Sequence, residues 1–165
     1  GGGVSPDILI DKDENSDILK TLDSKHLIFK YVTEFVLQNE SIPAIEEFNF
    51  TDWDGFVQYL EKNNFDYNTE SEKLVKKLKG QADKDGYILA SDIDALEAKI
   101  IEAKKNDLNK NKEAIIDLIE KEIASRYYYE QGKIEIGLRN DKEIEESIRL
   151  LNDDTAYQKV LNKVQ

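Results

Sequence analysis

The chain lacks cysteine in all of its 165 residues, which excludes disulfides, thiol catalysis and cysteine-ligated metal sites. Because a domain without cysteine suits both oxidising and reducing surroundings, this absence leaves the cellular compartment open. Methionine is absent as well, although a complete natural chain begins with one. We therefore expect the sequence to be a piece of a longer protein.

The chain also has fewer basic than acidic residues, and it has no long apolar run. The chain carries 23 basic and 35 acidic residues, a formal net charge of −12. A surface with this charge repels phosphate, so nucleic acid is not expected as a partner. No apolar run approaches the roughly 18 residues that cross a bilayer, so direct membrane insertion is not expected either.

Glycine and proline are scarce, with eight and two residues, while 39 % of the chain is apolar. This composition is typical of a helical protein that can build a hydrophobic core. We expect an all-α fold, a multi-helix bundle with one long helix and a short extended N-terminal arm. Residues 1–22 are expected to form the arm, with a strand-like apolar run at residues 8–10, and residues 23–165 the helical domain.

The long helix is expected to run from about Ser91 to Gln131, with a bend or a solvent-exposed section near residues 106–111 and an end or bend at Gly132. Three consecutive tyrosines, residues 127–129, point about 100° apart on a helix and cannot share one face. We therefore expect this segment to be surrounded on more than one side and to form the hub of the fold. The apolar stripe that leads to the tyrosines consists of Ile115, Leu118, Ile119 and Ile123.

Polar residues mark where further helices begin. Thr69 with Glu72 three positions later forms a capping box, which predicts a helix that ends near Gly80. Asn140 or Asp141 is expected to cap a later helix. That helix is expected to bury Ile144, Ile148 and Leu151.

The stretch 81–92 is a degenerate match to the calcium loop of EF-hand proteins. Asp83 and Asp85 stand at its third and fifth places and Asp92 at its last, so these three are candidate calcium ligands. Gln81 replaces the first aspartate, and Asp92 replaces the longer glutamate that binds bidentately. The alternative interpretation is a polar turn. A lesser candidate comprises Asp11, Asp13 and Asp17.

The single histidine and one pair of glutamates are the other candidate catalytic groups. His26 is the only histidine, and no nucleophile or orienting acid lies near it in the sequence, so a surface or packing role is expected. Glu145 and Glu146 could serve a hydrolase, but adjacent residues on a helix face different ways and do not converge on one substrate.

Several stretches resemble one family. The opening phrase Gly3-Val4-Ser5-Pro6-Asp7-Ile8 resembles the Gly–hydrophobic–x–Pro–Asp–hydrophobic phrase of C-terminal processing peptidases, also called tail-specific proteases. Residues 125–129, 132–135 and 147–153 are similar to the C-terminal helical region of members from Bacteroidetes-like bacteria, and residues 65–67 also fit that region.

The resemblance implies a parent protein that is a serine peptidase with a serine–lysine dyad, usually with a PDZ domain. The family's catalytic motifs precede the opening phrase, so the chain itself is expected to have no catalytic residue and no proteolytic activity. Only Gly3, Pro6 and Asp7 are carried over, as a structural turn at the end of the protease core.

The expected function is therefore that of a non-catalytic helical domain with a packing or scaffold role, without a cofactor, in the periplasm of the cell envelope. The expected partners are the protease core and PDZ domain of the parent and, through the parent, protein or peptide substrates. Self-association is left open. A calcium-binding helical module is the alternative function.

Overall fold

A computed structural model describes residues 7–10, 16–139 and 141–162 of the chain. Nine helices and no strand occur in these ranges, which confirms the predicted all-α fold. None of these helices combines the length and apolar character that crossing a bilayer requires. The helices are α1 (Asp17–Ser24), α2 (Leu27–Gln38), α3 (Trp53–Lys62), α4 (Glu70–Asp85), α5 (Ala90–Lys104), α6 (Asp107–Lys110), α7 (Lys112–Arg139), α8 (Lys142–Leu151) and α9 (Asp154–Leu161).

The main hydrophobic core lies between α1, α2, α3 and α7. Helix α7 fully buries Ile115, Ile119 and Ile123, whose four-residue spacing places them on one face. On the opposite side of the core, the Tyr31 ring of α2 meets the Phe56 ring of α3 edge to face, with 5.0 Å between their centroids. The first half of α7 is thus the element on which the core is built.

Helix α7 folds back on itself at Tyr129. The Tyr129 backbone has φ 58° and ψ −152°, far from helical values, and divides α7 into a first limb (residues 112–128) and a second limb (residues 130–139). A Cβ atom on Gly137 would lie 3.4 Å from Lys121 Cε. A straight helix would place these two residues about 24 Å apart. The long helix expected over residues 91–131 is therefore divided near residues 105–111 into α5, α6 and the first limb of α7, and α7 then continues past Gly132 as the second limb of a hairpin.

Gly132 allows the two limbs to approach each other. A Cβ atom at this buried position would lie 2.4 Å from Tyr128 Cβ and 3.1 Å from the Ala124 carbonyl oxygen. The sequence suggested that the helix ends or bends at Gly132. The bend occurs at Tyr129 instead, and Gly132 is required because no side chain fits between the limbs.

Helices α4 and α5 form a second hairpin with its own small core of Val75, Ala82 and Ile93. The predicted capping box is confirmed, since the Glu72 N–H donates to Thr69 Oγ1 at 3.1 Å and the Thr69 N–H donates to Glu72 Oε2 at 2.6 Å.

Helix α4 is longer than the sequence pattern predicts. It passes through Gly80, where it was expected to end, and continues to Asp85. The left-handed cap comes from Gly86, with φ 76°, which is a conformation that glycine adopts without steric cost. Burial of Ala82 against α5 explains the extra turns, because the hairpin core extends past Gly80.

The N-terminal arm is shorter than expected. Helix α1 already begins at Asp17, and its residues Ile18 and Leu22 are buried in the main core. Burial of two apolar side chains one turn apart favours a helix over an extended chain here. Residues 8–10 have irregular structure, because the described part of the chain offers them no strand to pair with. The division between an arm and a helical domain stays a prediction.

Helices α8 and α9 follow the main body and contain no buried residue. Asp141 caps α8 as predicted, by accepting hydrogen bonds from the N–H groups of Glu143 and Ile144. The expected burial of Ile148 and Leu151 is wrong within this chain, since the two side chains are 54 % and 67 % exposed. Ile148 and Leu151 do lie on one face of α8, as their spacing predicts, but no element of the described chain covers that face.

Candidate functional site

The most extensive polar contacts of the domain hold the α2–α3 loop (residues 39–52) against α7. The Tyr127 hydroxyl donates to the carbonyl oxygen of Asn39, and the Tyr128 hydroxyl donates to that of Pro43 at 3.0 Å. A loop that lies on a core leaves carbonyl groups without helical partners, and each of these must be satisfied by another group. The two tyrosines supply the partners from the first limb of α7.

The second limb of α7 holds the same loop through Arg139. Its guanidinium donates from Nη1 to the Phe48 carbonyl oxygen at 2.8 Å and from Nη2 to the Ile45 carbonyl oxygen. The side chains of Ile45 and Phe48 are themselves buried in the main core. Hydrogen bonds from a charged donor are stronger than neutral ones, so Arg139 fixes the loop while its apolar side chains pack inward.

Glu120 anchors the end of the loop from inside the core. Glu120 is only 5 % exposed, and its Oε1 accepts a hydrogen bond from the Phe50 N–H at 2.7 Å. A buried carboxylate is costly unless it is hydrogen-bonded, and an unpaired buried N–H is costly as well. The pair therefore satisfies two groups at once, and Glu120 acts as a structural acceptor.

The tyrosine hub expected from the sequence is only partly present. Tyr127 is half-buried, and burial raises the pKa of its hydroxyl. Tyr128 lies at the surface, and Tyr129 is 80 % exposed because the backbone leaves the helical path at this residue. The expectation that the rings are surrounded on more than one side is wrong for Tyr129. The hub is instead the isoleucine stripe of the first limb.

A second polar cluster joins the α4–α5 hairpin to the main core through Lys104. The Lys104 ammonium donates to Asp66 Oδ1 at 3.2 Å, to Glu72 Oε1 at 3.1 Å and to the Tyr67 carbonyl oxygen. It also lies 4.5 Å from the centroid of the Tyr67 ring. The Tyr67 hydroxyl in turn donates to Asp107 Oδ2 at 2.6 Å, which extends the cluster to α6.

The charges in this cluster stabilise one another. Burial alone disfavours the charged form of Lys104, but the hydrogen bonds to Glu72 and Asp66 outweigh it and raise the lysine pKa. The hydrogen bond from Lys104 likewise lowers the pKa of Asp66. For Glu72, burial is outweighed by hydrogen bonds from Thr69 and Lys104, and the pKa is lowered. The cluster is therefore fully charged at neutral pH and acts as a clamp.

The three calcium candidates lie on two helices and not in a loop. Asp83 and Asp85 belong to the last turn of α4, and Asp92 belongs to the first turn of α5. Asp85 Oδ1 accepts a hydrogen bond from Gln81 Nε2 at 2.9 Å, within the helix. In the described ranges no group of three or more histidine or acidic side chains is placed to hold a metal ion. The twelve-residue loop on which the calcium prediction depends is reduced to residues 86–89 between the two helices.

The lesser calcium candidate is not brought together either. Asp17 lies at the start of α1, where its Oδ2 accepts the Glu70 N–H at 2.8 Å. Asp11 and Asp13 lie outside the described residues. Calcium binding at either place stays a prediction, and no contact of the described side chains favours it.

The remaining candidates are dispersed over the molecule. His26 is exposed and adopts a left-handed conformation, φ 54°, between α1 and α2. Glu146 binds Arg149, whose guanidinium lowers the carboxyl pKa, while the neighbouring Glu145 is exposed. Asp7 is exposed in a bend. The other two residues of the family phrase, Gly3 and Pro6, lie outside the described residues.

Residues 18–151, from α1 through α8, match a family model described as "Probable PDZ-protease, C-terminal helical domain". The chain belongs to this family. No curated protein and no solved structure gives a significant match. The resemblance inferred from the sequence is thus confirmed at the level of a helical C-terminal domain of a probable PDZ-protease.

The structure reveals two residues of this PDZ-protease domain that hold the α2–α3 loop and that sequence reasoning missed, Glu120 and Arg139. Glu120 had a usable signal, because it lies at helical spacing from Ile116 and Ile123 on an apolar stripe. A carboxylate in that position needs an internal partner. Arg139 had no such signal, since its contacts depend on the reversal of α7 at Tyr129.

Proposed function

We propose that the domain is a non-catalytic scaffold that packs against the protease core of its parent, a serine-type peptidase that processes the C-terminal regions of proteins. Membership of the PDZ-protease family supports the connection to a protease. The similarity of the opening phrase to tail-specific proteases supports the serine type and the substrate class. The same similarity supports a location in the periplasm.

One observation carries the scaffold role. Four polar side chains of α7 bind main-chain atoms of the α2–α3 loop: Glu120, Tyr127, Tyr128 and Arg139. Groups engaged in this way rigidify a body and are not available to substrate. The contacts of Lys104 also argue against a catalytic role. A lysine that acts as a base must lose its proton, whereas these contacts raise the pKa of Lys104.

The test compares this chain with the parent polypeptide on a peptide that has an unstructured C-terminal region. We expect cleavage by the parent and none by the chain. A matched peptide with an amidated C-terminus is the control, and the parent should cleave it more slowly if it recognises the free carboxylate. Clear turnover by the isolated chain would refute the proposal, and equal cleavage of the two peptides would refute the tail-specific part.

Partners and location follow from the same proposal. The protease core and the PDZ domain of the parent are the intended partners of the domain, and protein substrates reach it only through them. Osmotic-shock fractionation of the source bacterium, with an antibody against the domain, tests the location. We expect the parent in the periplasmic fraction, and its recovery only with cytoplasmic markers would contradict that location.

A further inference from the structure

The residue at which α7 reverses, Tyr129, holds a backbone conformation from which its side chain gains little. Its φ of 58° and ψ of −152° lie at the edge of a region that glycine occupies almost alone. The side chain is 80 % exposed, so it has little packing to offset the strain. The strain arises only in the reversed form of α7, and the surrounding structure must hold the residue there.

Gly132 is a second feature that only the reversed form requires. With the limbs folded together, a Cβ atom on Gly132 would lie 2.4 Å from Tyr128 Cβ and 3.1 Å from the Ala124 carbonyl oxygen. In a continuous helix, residues four apart hold their Cβ atoms about 5–6 Å apart, and residues eight apart are separated by about 12 Å along the axis. A straight α7 therefore accommodates a side chain at position 132 without these close contacts.

The sequence around the reversal is compatible with a continuous helix. Residues 112–139 contain no proline, and the backbone is helical on both sides of Tyr129. Helices α8 and α9 follow the second limb and bury no residue in the described chain, so they add little that holds this limb in place. The local sequence thus permits a straight α7, and tertiary contacts favour the reversed one.

The tertiary contacts of the second limb show what can take its place on the first limb. Ile136 is 1 % exposed in the main core, and Arg139 donates to carbonyl oxygens of the α2–α3 loop. If α7 straightens, both side chains leave and the groove that they filled is open. The second limb of another copy restores each of these contacts. Because each copy gives one limb and receives one, two copies fill each other's grooves about a twofold axis.

We propose that α7 also straightens at Tyr129, and that the second limb of each chain then packs on the first limb of a second copy. This exchange keeps the contacts of Ile136 and Arg139, whereas the strain at Tyr129 disappears in both copies. Short connections under strain favour such an exchange of elements between copies. The exchanged dimer joins two parent polypeptides and forms in proportion to protein concentration. It adds self-association to the scaffold role and does not depend on what the parent cleaves.

A crosslinking experiment on the 165-residue chain distinguishes this exchange from any other dimer. The chain has no cysteine, so Lys121→Cys with Gly137→Cys introduces a single pair of thiols. These positions are in contact within one chain in the reversed form. In a straight α7 they are about 24 Å apart, beyond the reach of a short bis-maleimide, and each instead meets its counterpart on the second copy.

The chain is unfolded in urea, refolded at increasing protein concentration, and crosslinked. We expect a covalent dimer on a denaturing gel, in a fraction that rises with the concentration during refolding. A native dimer that yields only crosslinks within one chain would overturn the proposal, because its α7 is still reversed. A monomer at every concentration up to the millimolar range would overturn it as well, and would leave the scaffold role standing.

Tyr129→Ala and Tyr129→Gly are a matched pair of variants in this crosslinking background. Both remove the exposed ring, but only glycine accepts the positive φ of the reversed form, and alanine favours the continuous helix. We expect Tyr129→Gly to weaken the dimer by at least about tenfold relative to Tyr129→Ala, since the difference counts once in each copy. Equal dimer fractions in the two variants would contradict a role for strain at Tyr129 and overturn the proposal.

Gly132→Ala provides an independent test, because the added methyl group opposes only the reversed form. We expect its covalent dimer fraction to exceed that of the chain with the cysteine pair alone. Gly80→Ala, whose added methyl group meets nothing within 4 Å, should leave the fraction unchanged. A Gly132→Ala chain that crosslinks to the same extent as Gly80→Ala would count as decisively against the exchange.

Discussion

Replacing Gly132 by alanine tests the reversal of α7 directly. The new methyl group would lie 2.4 Å from Tyr128 Cβ and 3.1 Å from the Ala124 carbonyl oxygen. Neither atom is the end of a flexible side chain, because a Cβ atom and a carbonyl oxygen move only with the backbone. The two limbs of α7 must therefore separate, which also disturbs the contacts that the second limb makes with the α2–α3 loop.

The size of the effect follows from two opposing contributions. Overpacking of a well-packed site costs roughly 1–3 kcal/mol, whereas alanine in place of glycine favours a helix by roughly 0.5–1 kcal/mol. Gly80 provides the matched control, since it lies within α4, is exposed, and a Cβ atom there would meet nothing within 4 Å. Gly80→Ala is therefore expected to gain roughly 0.5–1 kcal/mol. The difference between the changes in free energy of unfolding of the two variants gives the steric cost at Gly132, roughly 1–3 kcal/mol.

Urea unfolding followed by fluorescence measures both variants. The single tryptophan, Trp53, is buried in the main core, so its emission reports on unfolding of the body that α7 supports. We expect the free energy of unfolding to fall for Gly132→Ala and to rise for Gly80→Ala. If Gly132→Ala stabilises the protein as much as Gly80→Ala does, the two limbs are not in close contact and the reversal of α7 is wrong.

Three further predictions concern single side chains, and urea unfolding measures each of them. Tyr129→Gly is expected to raise the free energy of unfolding by roughly 1 kcal/mol, because glycine accepts the φ of 58° without strain. A fall in the free energy of unfolding would contradict the interpretation that the Tyr129 backbone is strained. Glu120→Ala is expected to cost about 1–3 kcal/mol by leaving the Phe50 N–H without an acceptor, whereas Glu120→Gln keeps an acceptor and costs less. Equal losses in these two variants would contradict the proposed hydrogen bond. Lys104→Met is expected to cost about 1–3 kcal/mol at neutral pH, while Lys105→Met, which removes an exposed ion pair, changes stability by less than about 0.5 kcal/mol. The two acidic partners of Lys104 have lowered pKa values, so their contribution is present above the unfolded pKa near 4 and is lost as the pH falls below it. The cost of Lys104→Met should therefore shrink below about pH 4, and a constant cost down to pH 3 would argue against the clamp.

The features that the sequence predicts correctly depend on neighbours along the chain. The capping box of Thr69 and Glu72 and the cap of Asp141 involve groups two or three residues apart, so the residue types alone are sufficient. The isoleucine stripe of α7 follows from helical spacing in the same way. The family could also be recognised, because residues 18–151 retain its pattern.

The contacts that the sequence does not predict join distant parts of the chain. The hydrogen bonds between α7 and the α2–α3 loop connect residues 70 to 94 positions apart, and no local pattern pairs them. The reversal at Tyr129 had no signal either, because tyrosine is not a residue that favours a positive φ.

By itself, the sequence determined that this chain is helical, where helices α4, α5 and α8 begin, and which stripe of α7 is apolar, because these properties arise within one or two helical turns. Only the tertiary structure decided that α7 reverses, that Glu120 and Arg139 hold a loop, and that Ile148 and Leu151 remain exposed. Amphipathic spacing shows that a face favours burial. Which body buries it depends on how elements far apart in the chain are arranged in space.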